Sequence, residues 1–320
     1  MFDGLNQAAL GVYRQAVENA CALGVHETVL PSGTHVLDFG VQVSGGLAAG
    51  LQLARVCTAG RANIEIGTGE RTVWRGPWVN VRTDQPVAAC MLSQYAGWPV
   101  KHEKFFAMGS GPMRLRRGRE ELLRELSAVE PQPLAVGTLE CDQLPTCEIA
   151  RAMAEQCQVD ASSLWLAVAP TRSIAGSIQV VARCVETSLH KLHELKFPIS
   201  SITSAFGAAP LPPPTPNFAK GIGRTNDAIL YAGHVTLWVN SEDELIESIG
   251  PKLPSQASRD YGSPFADIFK SYNYDFYQVD PGLFSPAEVV MINLKSGRSW
   301  RFGSLRPDLI SASFGTVECA

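Results

Sequence analysis

The chain is short of charge. Lys, Arg, Asp and Glu make up 18% of its 320 residues, and the net balance is only −4. A soluble domain usually carries about a quarter. A polyelectrolyte, a disordered tail and a surface built to attract nucleic acid or an anionic membrane are therefore excluded. Long apolar runs are missing as well. Stretches such as Val289 to Ile292 are far too short to span a bilayer. The opening residues, MFDGLNQAALGVYRQAVENACALG, lack a basic start and a long apolar block. They read as an amphipathic helix rather than a secretory signal, and the expected location is the cytoplasm.

Several motifs are absent too. The eight cysteines, at 21, 57, 90, 141, 147, 157, 184 and 319, form no C-x-x-C pair, which removes the usual zinc spacing. They are expected to be reduced thiols, several of them buried. No G-x-S-x-G elbow of a serine hydrolase occurs, and no Gly-Lys-Ser/Thr closes a phosphate loop. Asp38-Phe39-Gly40 spells a kinase triplet without its companions. Cys184 and His190 lie six apart on a helix and face different ways, which argues against a Cys–His dyad.

What is present is a 45% apolar chain long enough for two domains, each with its own core. Helical and strand patterns alternate, which predicts an α/β fold. The spacing predicts a helix near 5–23, a strand near His35 to Val41, a helix near Leu47 to Cys57, and strands near Ala62 to Ile66 and Trp78 to Thr83. Helix near Pro86 to Tyr95, strand near Leu134 to Leu139 and helix near Cys147 to Gln158 follow. The segment SAVEPQPL at 127–134 suggests a boundary, giving domains 1–130 and 131–320. Ala208 to Gly221 is proline-rich enough to be irregular. Ala228 to Val239 reads as two strands, Ser263 to Tyr272 as a helix, and Ala287 to Trp300 as a hairpin turning at Ser296-Gly297. AGLQLARVC in the first half echoes GSIQVVARC in the second, a pattern expected of two duplicated lobes with a cleft between them.

The stretch from Leu164 to Lys196 is the most informative. It reads as a buried strand, Leu164 to Ala169, a polar turn, and then one amphipathic helix. Ile178, Val181, Val185, Leu189, Leu192 and Leu195 form its apolar stripe. Arg183 and Glu186 sit three apart just off that stripe, beside the kind of strand-to-helix junction where α/β proteins place ligands. Such a pair can do acid–base chemistry. The plain alternative is an exposed ion pair of little energetic weight.

Three other patterns are candidates. Phe105 to Leu126 reads as a glycine-rich turn feeding a helix. Ser110 would cap it, Pro112 would take the first position, and the amides of Gly109, Ser110 and Gly111 with Arg114 would hold an anion. The alternative is an ordinary capped surface helix. Gly221 to Tyr231 reads as a binding loop before a strand, offering Arg224, Asn226 and Asp227, or else as a polar turn. Finally, Glu186, His190 and His193 share a helical face and have the residue types of a metal site. The alternative there is a polar face near solvent.

FAMGSGP, VAPTRSIAGSIQVVARCVET, GRTNDAILYAG, DYGSPFADIF and YDFYQVDPGLFSPAEV, in this order, resemble the methenyltetrahydromethanopterin cyclohydrolase family over nearly the whole chain. The combination is specific although no single motif is. The resemblance implies two α/β domains, each a β-sheet flanked by helices, face to face across a large pocket. It implies a homotrimer, no metal and no permanently bound cofactor, with tetrahydromethanopterin or a dephospho form as the carrier substrate. The implied reaction is hydrolysis of the 5,10-methenyl carrier to the 5-formyl compound in one-carbon metabolism, including formaldehyde oxidation.

By the same resemblance Arg183 and Glu186 are the catalytic pair. Gly109, Ser110, Gly111, Ser173, Arg224, Asn226 and Asp227 would bind substrate. Some archaeal members carry His where Gln85 stands and lack histidines at 190 and 193, which leaves the role of Gln85 open and weakens the metal alternative. Two other functions stand beside this one. One is a non-catalytic pterin- or nucleotide-binding protein. The other is a metal-dependent amidohydrolase using Glu186, His190 and His193. Trp165, Tyr231, Phe276 and Tyr277 are candidates to stack on the pterin.

Overall fold

A computed structural model of the chain describes residues 4–126, 128 and 130–315. Cys319 and parts of the 127–134 segment lie outside them. The strands are β1 (His26–Val29), β2 (His35–Asp38), β3 (Asn63–Gly67), β4 (Trp78–Thr83), β5 (Trp98–His102), β6 (Phe105–Ser110), β7 (Ala135–Glu140), β8 (Leu164–Ala169), β9 (Ile202–Pro210), β10 (His234–Val239), β11 (Glu288–Asn293) and β12 (Ser299–Gly303). The helices are α1 (Leu5–Glu18), α2 (Ala20–Leu23), α3 (Leu47–Cys57), α4 (Met113–Arg117), α5 (Glu121–Glu125), α6 (Cys147–Gln156), α7 (Ile174–Val181), α8 (Cys184–Glu194), α9 (Phe218–Ala232), α10 (Asp243–Ile249), α11 (Phe265–Ser271) and α12 (Pro307–Phe314).

They build two compact units, and neither is contiguous. The first takes the residues through Asn63 together with Ala88–Gln179. The second takes Ile64–Val87 and everything from Val180 onward. The chain therefore passes between units at 63/64, 87/88 and 179/180.

Each unit is a mixed six-stranded sheet with helices. The first runs β1-β2-β8-β7-β6-β5. Its β2, β8 and β7 are parallel, and antiparallel partners close both edges. Central β8, LWLAVA, is an almost unbroken apolar run, as a strand covered on both faces must be. Leu164, Leu166 and Val168 pack with Val36, Leu139, Met113 and Ile149 in the core. The second sheet runs β12-β11-β10-β9-β4-β3, with only β10 and β11 parallel among its registered pairs. The hairpin expected near 296 is there, as β11 against β12.

Four sequence expectations need correction. The segment 105–110 is a strand, β6, and not a glycine-rich turn. The segment 86–95 is helical but wound as a π-helix over Val87–Gln94. Ala228 to Ala232 belongs to helix α9, so only β10 remains of the expected strand pair. The irregular proline segment is shorter than 208–221, because β9 extends to Pro210 and α9 begins at Phe218.

The internal echo does not mark two lobes. AGLQLARVC lies on α3 of the first unit, and GSIQVVARC, begun on α7, crosses the passage between units at 179/180, with its first four residues in that same unit. The two helices approach closely at Gly50, where an added Cβ would lie 2.9 Å from both Ala175 Cα and Ile178 Cβ. The Asp38-Phe39-Gly40 triplet also has a structural use. Asp38 is buried, and its carboxylate accepts from the backbone N–H groups of Gly40, Val41 and Gln42 at 2.6–2.8 Å, shaping the turn after β2.

Candidate active site

The expected single helix over 174–195 is two helices. α7 ends at Val181, and α8 starts at Cys184 with Arg183 as its N-cap residue at φ −85°, ψ 4°. The break carries no Pro or Gly. It follows closely on the passage between units at 179/180, and tertiary packing rather than local propensity places it. Arg183 and Glu186 consequently open a helix of the second unit.

Arg183 donates from Nε (3.0 Å) and Nη2 (2.8 Å), both to Glu186 Oε2. The exposed ion pair considered above is ruled out, since the Glu186 side chain is 2% exposed and that of Arg183 12%. A carboxylate this deep is costly unless it is paired. The guanidinium supplies the pairing, and the first turn of α8 supplies a favourable dipole. Neither bond uses Oε1.

α8 is held by its apolar face. Cys184, Val185, Leu189 and Leu192 are fully buried, and the helix packs on β9 and β10. The seat is set by Gly207 in β9. A Cβ there would lie 2.7 Å from Val185 Cγ2 and 2.8 Å from Cys184 Sγ. Burial pushes the Cys184 thiol up to about 12, so it is an inert packing group. Lys191, almost buried, reaches from α8 to the carbonyl of Gly282 at 2.6 Å. Asp280 accepts from the hydroxyl of Ser258 and the amide of Gly282, and its own amide donates to Asp260. Sequence reasoning missed Gly207 and this Lys191–Gly282 anchor. A glycine inside a strand was the available signal for the first, and a lysine adjoining an apolar stripe for the second.

Of the other expected site residues, Gly109, Ser110, Gly111 and Ser173 belong to the first unit and Arg224, Asn226 and Asp227 to the second. Gly109 is in β6. Ser110 is buried and shares a 2.6 Å hydrogen bond with Thr138, with Cys57 beside them, so it caps no helix. The Gly111 amide donates to Ser93 O. Arg114 is fully buried. It pairs with Glu120, donates to the carbonyls of Met91 and Ser93 and stacks on Tyr95. It thus ties off the C-terminal carbonyls of the π-helix, groups an anion would have competed with. Ser173 caps α7, accepting from Gly176 N at 3.0 Å and donating to Pro170 O at 2.8 Å.

Arg224, Asn226 and Asp227 lie inside α9, not on a loop. Arg224 donates to the carbonyls of Ser313, Phe314 and Pro213, and Asn226 to Ile222 O. Asp227 is fully buried and accepts from Phe265 N (2.8 Å) and Ser313 Oγ (2.5 Å), joining α9 to α11 and α12. Burial raises its carboxyl to about 7 despite those bonds.

Among the described residues, no three His, Cys, Asp or Glu side chains are grouped to hold a metal ion. His190 and His193 turn toward Glu194. Of the aromatic candidates, Trp165 stacks on His35, Tyr231 is buried with its hydroxyl on Ser263 O, and Phe276 stacks on Phe284. Tyr277 is 71% exposed.

A family model described as Cyclohydrolase (MCH) matches residues 4–314. The chain is 52% identical over 300 residues to the methenyltetrahydromethanopterin cyclohydrolase of Rhodopirellula baltica, covering 92% of this chain and 90% of that one. It is 43% identical over 316 residues to the protein of that name from Methylobacillus flagellatus, covering 98% and 96%. The protein of that name from Methanoculleus marisnigri is 40% identical over 314 residues, covering 98% and 99%.

Proposed function

The chain belongs to the methenyltetrahydromethanopterin cyclohydrolase family, and on that footing we infer that it hydrolyses the cyclic amidinium of 5,10-methenyl-tetrahydromethanopterin to the 5-formyl compound. The observation that carries the assignment of residues is the buried Arg183–Glu186 pair at the start of α8.

The methenyl carbon lies between two nitrogens and carries delocalised positive charge, so it is already electrophilic. Water is the weak partner until a proton leaves it. Glu186 takes that proton as the oxygen attacks, a role worth about a hundred- to ten-thousand-fold in rate. Its charge also favours the cationic ring. Oε1, which receives no bond from Arg183, is the oxygen assigned to this transfer.

The adduct then breaks its bond to the arylamine-side nitrogen. That nitrogen receives a proton from Glu186, and the adduct hydroxyl then gives its own proton to the freed carboxylate as it becomes the formyl carbonyl. Arg183 would repel the cation if it faced it. Its role is to hold Oε2 and so fix the orientation of the carboxylate.

The carrier substrate is a tetrahydromethanopterin or its dephospho form, and no permanently bound cofactor enters the scheme. We further propose a homotrimer working in the cytoplasm in one-carbon metabolism, including formaldehyde oxidation. Sedimentation of the purified chain tests the assembly. For the activity, purified protein is mixed with methenyl-tetrahydromethanopterin and, separately, with methenyl-tetrahydrofolate. Rapid loss of the methenyl absorbance with the first is the expected result. Binding without loss would favour a carrier protein.

A further inference from the structure

Hydrolysis of a cationic amidinium to a neutral formamide releases one proton per turnover. Water brings two. One ends on the leaving nitrogen, and the other must leave the protein. On the function proposed above, Glu186 handles both, yet it is 2% exposed, so bulk buffer has little access to it.

Along α8 from Glu186 stands a row of titratable side chains. His190 is one turn on and Glu194 two turns on, positions that neighbour one another on a helix surface. Side-chain exposure rises along the row, from 2% at Glu186 to 25% at His190 and 60% at Glu194. His190 Nε2 lies 3.9 Å from Glu194 Oε1, and His193 Nδ1 lies 3.8 Å from the same oxygen. A small rotamer change or one bridging water closes such gaps. His190 feels the charges of Glu186, Glu194, His193 and Arg183. Burial holds its imidazole below the ordinary value, so near neutral pH it is uncharged and has a lone pair for a proton. Lys191 is turned away from the row, onto Gly282.

We propose that His190 carries the surplus proton of each turnover from Glu186 to Glu194, and so to solvent. Glu186 returns to its carboxylate, His190 is protonated and deprotonated once per cycle, and nothing is oxidised or reduced.

The test is H190Q, assayed in weak buffer with a pH-indicator dye beside the methenyl absorbance. The relay predicts kcat lower by about ten- to hundred-fold with KM little changed, restored by added imidazole. In a single turnover the dye signal should lag behind the loss of methenyl absorbance. Normal kcat in weak buffer overturns the proposal, and so does a loss that imidazole does not repair, since that marks a packing role. E194Q, at an exposed position, covers the case in which H190Q fails to fold. It should show a smaller loss that concentrated buffer abolishes, and no loss overturns the relay. A wild-type chain that leaves the methenyl band untouched refutes the proposed activity instead.

Discussion

Both hydrogen bonds that Arg183 gives to Glu186 end on one oxygen, Oε2, at 3.0 and 2.8 Å. The guanidinium fixes the carboxylate from one side and occupies only half of it. That asymmetry suits a group that must be held still while it exchanges a proton.

Glu186→Gln should bind substrate nearly as well as wild type and lose about a hundred- to ten-thousand-fold in kcat. The amide keeps the shape but takes no proton. Stopped-flow loss of methenyl absorbance measures it, and near-normal turnover would remove Glu186 from the chemistry.

Arg183→Ala should lower kcat by about a hundred-fold or more, because it strips a buried carboxylate of its partner. Arg183→Lys should restore only part of that, since one ammonium cannot reproduce the planar pair of N–H groups that converge on Oε2. Equal kcat for the Lys variant and wild type would reduce Arg183 to a simple counter-charge.

Gly207→Val should displace α8, because even a Cβ at that position meets Val185 and Cys184 within 3 Å. Overpacking of this kind costs about 1–3 kcal/mol. Lost melting temperature should be accompanied by lost kcat. A stable variant with full activity would show that the seat of α8 tolerates movement.

Arg114→Ala should reveal whether this residue serves the fold or an anion. Removing one partner of a buried ion pair costs about 3–5 kcal/mol. The expected result is a large fall in melting temperature. Raised KM with unchanged stability would return Arg114 to a binding role.

Asp227 makes stability depend on pH. Its carboxyl is raised by burial to about 7 from the usual 3.8. A raised folded value means that the stabilisation is complete below about pH 4 and is lost as pH climbs to about 7. Asp227→Asn keeps an acceptor for Phe265 N and can donate to Ser313 Oγ, so it should escape that loss. Melting curves at pH 5 and pH 8 should show wild type falling more steeply than the variant. Equal slopes would refute the assignment.

The core elements were legible because their signals are local. α3 and β8 read directly from apolar spacing, and β4 from its alternating, β-branched run. α9 was misread because Gly221, Gly223, Asn226 and Asp227 all look like turn residues. The helix is stabilised from outside, by the capping side chain of Asn217, by Gly223 against Ala266 and by Asp227 bonded to Phe265 and Ser313. Tertiary contacts outweighed local propensity there. A glycine-rich run beside an arginine says nothing about whether its amides are already taken, and the Gly111 amide is.

By itself the sequence determined the family, the mixed α/β class and the presence of Arg and Glu three apart on one helix face, because these depend on residue identity and short-range periodicity. Only the tertiary structure decided that Arg183 opens a new helix, that Glu186 is sealed from solvent, and that α8 rests on Gly207. It also decided that the first unit reclaims Ala88–Gln179 after the second has taken Ile64–Val87. Burial and pairing arise from residues far apart along the chain. No local window carries the free energy that turns an ordinary i,i+3 ion pair into a buried acid held by a guanidinium.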